Sequence, residues 1–176
     1  VQTARAEAAP APSHKVILGI DPGSRRTGYG AIAFANGHCQ LLDRGVVAPA
    51  ASLPLELKLR EIHACMRALL QRLRPDVLAV EDVFHAVNAR TALVLGHVRG
   101  VVLLAGAEAG LPVHAYSPAT VKLEVTGSGR AEKCQVAYMV SRQLRLAEHG
   151  APGDAADALA VAICDAHRCA MENARR

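Results

Sequence analysis

The sequence predicts an α/β protein on a mixed five-stranded sheet, with three strands in a meander, two more running parallel, and helices flanking them. Three observations carry this. β-type runs from Lys15 to Asp21, Tyr29 to Phe34 and His38 to Val47 follow one another, the last two joined by the hairpin pair Asn36-Gly37. The period then changes: Leu55, Leu59, Ile62, Met66, Leu69 and Leu73 recur in steps of four and three, one face of an amphipathic helix. Finally, the apolar runs VILGID and VLAVED stand on either side of that helix, and both end in acid.

The remaining elements follow in order. Arg74-Pro75-Asp76 stops the first helix, and Val77 to Val80 forms a fourth strand closing on Glu81 and Asp82. Asn88 to Ala109 reads as a helix that is apolar nearly all round, and such a helix is buried in a core or against another subunit. Gly110 and Pro112 end it, and Val113 to Tyr116 is a short fifth strand. Ser117-Pro118 opens a helix to about Val125, with serine as N-cap and proline in the first turn. After Thr126 to Gly129 a further helix is expected over Arg130 to Leu146, and a last one from Asp154 to about Cys169. The Ala- and Pro-rich stretch from Val1 to His14 has no apolar period and is expected to be a disordered leader or processing remnant, leaving 15–176 as one domain.

Composition narrows the classes. With 51% apolar and 20% charged residues the 176-residue chain has the balance of a globular domain. No apolar run is expected to reach the roughly 20 residues of a membrane span. The five cysteines form no CxxC pair; although Cys164 and Cys169 enclose His167, no second pair exists for zinc, and buried free thiols in a reducing cytoplasm are expected. A net charge of +4 suits a polyanionic partner. With three tyrosines, two phenylalanines and no tryptophan, contact with a nucleic acid would rest on Arg, Lys and backbone amides.

Chemistry concentrates in four carboxylates. If the strands ending in Asp21 and in Glu81-Asp82 are parallel neighbours, their acids meet at the carboxyl edge, where open α/β sheets bind ligands. Asp154 and Asp157, three apart in GDAADALAVA, share one helix face, and the alanines around them allow close approach to the sheet. Singly, each acid has an ordinary reading: a turn residue at Asp21, a solvated strand end at Glu81-Asp82, an N-cap at Asp154, a dipole partner at Asp157. Together, in a basic chain, they point to hard divalent cations, Mg²⁺ or Mn²⁺, and two-metal phosphodiester hydrolysis. Side chains alternate along a strand, so only one of Glu81 and Asp82 faces the others, and the spacing does not choose.

ILGIDPGSRRTGYG, AVEDVFHAVNARTAL, LGHVRGV, the VK and GRAEKCQV stretch, and DAADALAVAI resemble, in order, the RuvC-type Holliday-junction resolvases, which have a ribonuclease H-like fold. The resemblance spans Ile17 to about Ile163 and implies a catalytic, metal-binding set of Asp21, Glu81, Asp154 and Asp157, with Asp82 turned away. It further implies a Mg²⁺-dependent cytoplasmic homodimer that nicks a four-way DNA junction symmetrically, leaving 5′-phosphate ends, with RuvA and RuvB as partners. Lys122 and Lys133 match basic DNA-contacting positions, and Phe84 matches an aromatic that packs on bases at the junction centre. Arg25 and Arg26, beside Asp21, and Arg130, beside the Thr126 to Gly129 hinge, are further candidates for phosphate contact. His85 and His97 read as loop and core histidines. The chain departs from the family at Val87, where one member carries a lysine, with Arg90 carrying charge instead, and its basic tail, Arg175-Arg176, is short.

Two other readings are weighed. The Gly-Ile-Asp-x-Gly hairpin also opens the nucleotide-binding lobes of the actin and Hsp70 group, but that architecture needs a second lobe and about twice this length. A junction-binding protein without catalysis is the other; retention of all four acids opposes it.

Overall fold

A computed structural model describes residues 14–82, 88–146 and 153–174 of the chain. The expected meander is present as β1 (Lys15–Asp21), β2 (Thr27–Ala35) and β3 (His38–Val47), followed by α1 (Leu55–Leu73), β4 (Val77–Glu81), α2 (Ala89–Glu108), β5 (Val113–Tyr116), α3 (Pro118–Thr126), α4 (Lys133–Gln143) and α5 (Gly153–Ala174). The sheet order is β3-β2-β1-β4-β5. β1 and β2, and β2 and β3, are antiparallel, while β4 lies parallel to both β1 and β5.

Three elements, β2, α4 and α5, have boundaries that differ from the sequence reading. β2 begins two residues early because Thr27 pairs with Val47 and Gly28 with Asp21, so its glycines continue the ladder. α4 begins three residues late: Ala131 N–H turns back to Ser128 O, and Gln135 Oε1 accepts the Glu132 N–H at 2.8 Å, starting the helix at Lys133. It ends before Leu146 because Arg145 takes φ 53°. α5 runs on to Ala174, past the expected Cys169.

Alternation along the strands divides the core. Leu18, Ile20, Leu78 and Val80 pack with Ile62 and Met66 of α1 and Val98 and Val102 of α2. Ile17, Val77 and Ala79 face Leu159, Val161 and Ile163 of α5, with α3 and α4 behind. The seam between β1, β2 and α5 is unusually close. A Cβ on Gly19 would lie 2.2 Å from Ala158 O, and one on Gly28 would lie 2.0 Å from Asp154 O. Only glycine permits this contact, with alanine opposite.

α2 corrects two expectations. By length and composition it would suffice to cross a membrane, because its apolar and small residues are interrupted by just Arg90, Thr91, His97 and Arg99 before Glu108 closes it. Here Val98, Val102 and Ala105 lie buried against α1 and the sheet. The opposite stripe, Leu93, Gly96, His97, Gly100 and Leu104, is exposed, so His97 is not a core histidine. The cysteines also depart from expectation, since Cys164 is buried but Cys65 and Cys134 are exposed and Cys39 and Cys169 are intermediate. Residues 1–13 of the leader, His85 and Val87 lie outside the described residues.

Candidate active site

β1 and β4 run in register, Ile20 beside Val80, so the next residues on each strand, Asp21 and Glu81, emerge side by side at the carboxyl edge. Both continue the alternation of Ile17 and Gly19, and of Val77 and Ala79, and therefore face α5. Asp82 takes the other side, where its Oδ1 accepts from Arg99 Nη2 of α2 at 2.6 Å. The choice the spacing leaves open falls to Glu81.

α5 enters over this edge, because Gly28, the partner of Asp21 in the ladder, admits the Asp154 backbone. Asp154 and Asp157 are thereby carried to the acids of the sheet. Each already holds a cation: Arg26 Nε lies 2.7 Å from Asp154 Oδ2, and Lys133 Nζ lies 2.9 Å from Asp157 Oδ2.

Electrostatics show how tightly the acids are gathered. Burial, then the charges of Asp157 and Asp154, push the Asp21 carboxyl up to about 6, with Lys133 opposing. Burial, then Asp21 and Asp157, push Glu81 up to about 8 against Lys133 and Lys122. The hydrogen bond to Asp157 in turn raises Lys133. This is the signature of anionic oxygens converging with too little positive charge between them. The donor set is all carboxylate, which fits a hard divalent cation, and Arg26 and Lys133 are its stand-ins. The acids are not drawn into a tight cage. Among the described residues, the His, Cys, Asp or Glu group with ligand atoms all within 4.8 Å of one another is His114, Asp165 and Cys169, elsewhere in the fold.

The other candidate residues divide. Lys122 and Lys133 project their charge onto Glu81, and Lys133 onto Asp21 as well. Arg25 is exposed and lines a cavity of about 1000 Å³ between α1, α2 and the turn after β1. Arg130 lies on a separate groove with Ser128, Gln135 and Tyr138. Phe84 lies outside the described residues. Sequence reasoning missed the bond from Arg26 to Asp154; its only signal was an arginine in the turn after the first acid.

A five-stranded mixed sheet in this order, with acids at the carboxyl edge and the last helix laid across it, is a ribonuclease H-like fold. The family model described as Crossover junction endodeoxyribonuclease RuvC matches residues 17–165. The chain belongs to the RuvC family. Among curated relatives, the crossover junction endodeoxyribonuclease RuvC of Chloroflexus aurantiacus is 49% identical over 150 residues, covering 85% of this chain and 92% of that protein. That of Desulforamulus reducens is 47% identical, covering 86% and 93%. Among solved structures, Thermus thermophilus RuvC in complex with Holliday junction substrate aligns with a TM-score of 0.85 and 39% identity, over 90% of this chain and 97% of that one.

Proposed function

We propose that this chain is a divalent-cation-dependent endonuclease that resolves four-way DNA junctions by paired nicks in recombination and repair. The observation that carries the reading is the convergence of Asp21, Glu81 and Asp157 at one sheet edge, where burial and the charge of Asp157 raise both Asp21 and Glu81, in a member of this family. The two-lobed nucleotide-binding reading is not favoured, since the relatives match along nearly the whole chain.

Asp21, Glu81, Asp154 and Asp157 would hold two cations, Mg²⁺ with Mn²⁺ as substitute. When bound, these polarise the scissile phosphate and lower the pKa of the attacking water. The protein's own side chains do the rest. Asp21 and Glu81, fixed by the β1–β4 register, define where the phosphate sits. Lys133 releases Asp157 as the site fills, and with Lys122 offers its ammonium to the phosphate oxygens. Arg26 releases Asp154 in the same way. Arg25 and Arg130 contact backbone phosphates further out, and Phe84 packs on bases at the junction centre. The products carry 5′-phosphate and 3′-hydroxyl ends.

Symmetric nicking requires two sites. The exposed stripe of α2, with Leu93 at 65% and Leu104 at 52% exposure and open space at Gly96 and Gly100, supports a homodimer through that helix. Residues 15–176 act as one nuclease domain in the cytoplasm, with RuvA and RuvB as partners. Cleavage of a mobile synthetic junction with Mg²⁺, Mn²⁺ or chelator, mapping both nicks, tests the reading. Paired nicks that depend on the metal and are absent from linear duplex are expected. Cleavage that survives chelation, or equal cleavage of linear duplex, refutes it.

A further inference from the structure

Two turns beyond Asp157, about 12 Å along the axis of α5, lies a second cluster of a different chemistry. Asp165 is fully buried, its Oδ1 accepting from His114 Nδ1 at 2.5 Å and from the Tyr116 hydroxyl at 2.8 Å. Cys169, one turn on, directs its thiol at Asp165 Oδ2 at 3.6 Å. The ligand atoms of His114, Asp165 and Cys169 all lie within 4.8 Å of one another, one nitrogen, one oxygen and one sulfur. The pocket already takes a cation, for the Lys15 ammonium from the start of β1 stands 3.1 Å from Cys169 Sγ and 3.8 Å from Asp165 Oδ2.

We propose that His114, Asp165 and Cys169, with water in the fourth position, form a site for a borderline-soft divalent metal, Zn²⁺ in the first instance, that clamps α5 to β5. A nitrogen, oxygen and thiolate set favours zinc over the hard cations that four carboxylates select. On binding, the Cys169 thiol loses its proton to solvent, and the His114 Nδ1 proton is exchanged through solvent onto Nε2, which ends its bond to Asp165 Oδ1 and frees the Nδ1 lone pair for the metal. Carboxylate and thiolate together cancel the 2+ charge, so nothing uncompensated stays buried. Lys15, whose side chain is 35% exposed, swings into water and yields its place. The Tyr116 hydroxyl keeps its bond to the carboxylate and fixes its orientation. His114 is 40% exposed and provides access from solvent. The site would brace the far half of the helix that carries Asp154 and Asp157, without contributing to the chemistry there.

The full chain, reduced and stripped with chelator, is titrated with Co²⁺ while the near-ultraviolet thiolate-to-cobalt charge-transfer band is followed. One equivalent producing the band is expected, with the band lost in Cys169→Ser, at least tenfold weaker in affinity in His114→Ala, and retained in Asp21→Asn. Separately, Zn²⁺ at 100-fold above its Kd raises Tm by about 5–10 °C in the wild type and not in Cys169→Ser. Circular dichroism of each metal-free variant establishes that it is folded. Absence of the band from the wild type, or a band of equal intensity in Cys169→Ser, overturns the site. Because Asp21→Asn inactivates the nuclease centre alone, failure here and failure of the nuclease reading are separable.

Discussion

Replacing Asp21 by Asn is expected to make the metal-free protein more stable while disabling it. The fold raises this carboxyl from its ordinary 3.8 to about 6, so the ionised form is worse accommodated in the folded chain than in the unfolded one. At about 1.4 kcal/mol per pH unit, that displacement is about 3 kcal/mol. The sign is the reverse of a salt-bridged acid: between pH 4 and 8 the folded state holds more protons than the unfolded one, so metal-free stability falls as pH rises. Glu81, raised to about 8 in part by Asp21 itself, extends the same loss upward. Asparagine removes the Asp21 charge and relaxes Glu81. In chelator at pH 8 the variant should melt about 6–12 °C above the wild type, and at pH 4 the two should nearly coincide. Mg²⁺ should stabilise the wild type at pH 8 and not the variant, and junction cleavage should fall by about 10³-fold while junction binding persists. Thermal melts at both pH values, with and without Mg²⁺, and single-turnover cleavage measure all of this. A variant less stable than wild type at pH 8, or a difference independent of pH, refutes the electrostatic reasoning; undiminished cleavage refutes the assignment of Asp21.

Other outcomes follow from other parts of the structure. Gly28→Ala places a Cβ 2.0 Å from Asp154 O; α5 must lift by about 1 Å, costing about 1–3 kcal/mol in stability and about 10²-fold in cleavage, read by denaturant unfolding and single-turnover kinetics. The double substitution Leu93→Glu and Leu104→Glu puts two charges on the open stripe of α2, and sedimentation should show a monomer with a circular dichroism spectrum like the wild type. Junction binding should weaken with salt, log K falling by about 0.9 per phosphate neutralised per decade; Lys133→Ala should lower that slope by about one and reduce cleavage more than binding.

Much of this architecture was legible because apolar period and turn chemistry agree locally. The meander, the amphipathic α1 and the Ser117 cap each rest on neighbouring residues. What escaped depends on contacts between distant ones. Spacing alone leaves Glu81 and Asp82 open; the resemblance implies Glu81, and the physical reason, the β1–β4 register, lies in no spacing. Arg26 reads as one of two adjacent arginines until α5 delivers Asp154 to it. The start of α4 was misplaced because a side chain, Gln135, decides it rather than the apolar pattern. α2 was read as apolar throughout, yet one stripe packs inward and the other stays open, which hydrophobicity alone does not separate. In the chain Cys169 stands near Cys164 and His167, whereas its partners in space are Asp165, one turn before it, and Lys15 and His114 on β1 and β5.

The position of α5 has a consequence for the life of the chain. Leu159, Val161 and Ile163, all fully buried, fill the middle of one side of the sheet, yet they belong to α5, which follows every strand of that sheet in the chain. A chain leaving the ribosome carries Asp21 and Glu81 from early on, on strands whose α5-facing side is still bare. The pairings that cover it are among the most distant in sequence, and such contacts form late. Half of the proposed carboxylate set arrives only with the helix that completes the core, so a polypeptide that stops short of α5 lacks Asp154 and Asp157. On the reading proposed above, closing the core and completing the cutting centre are one event.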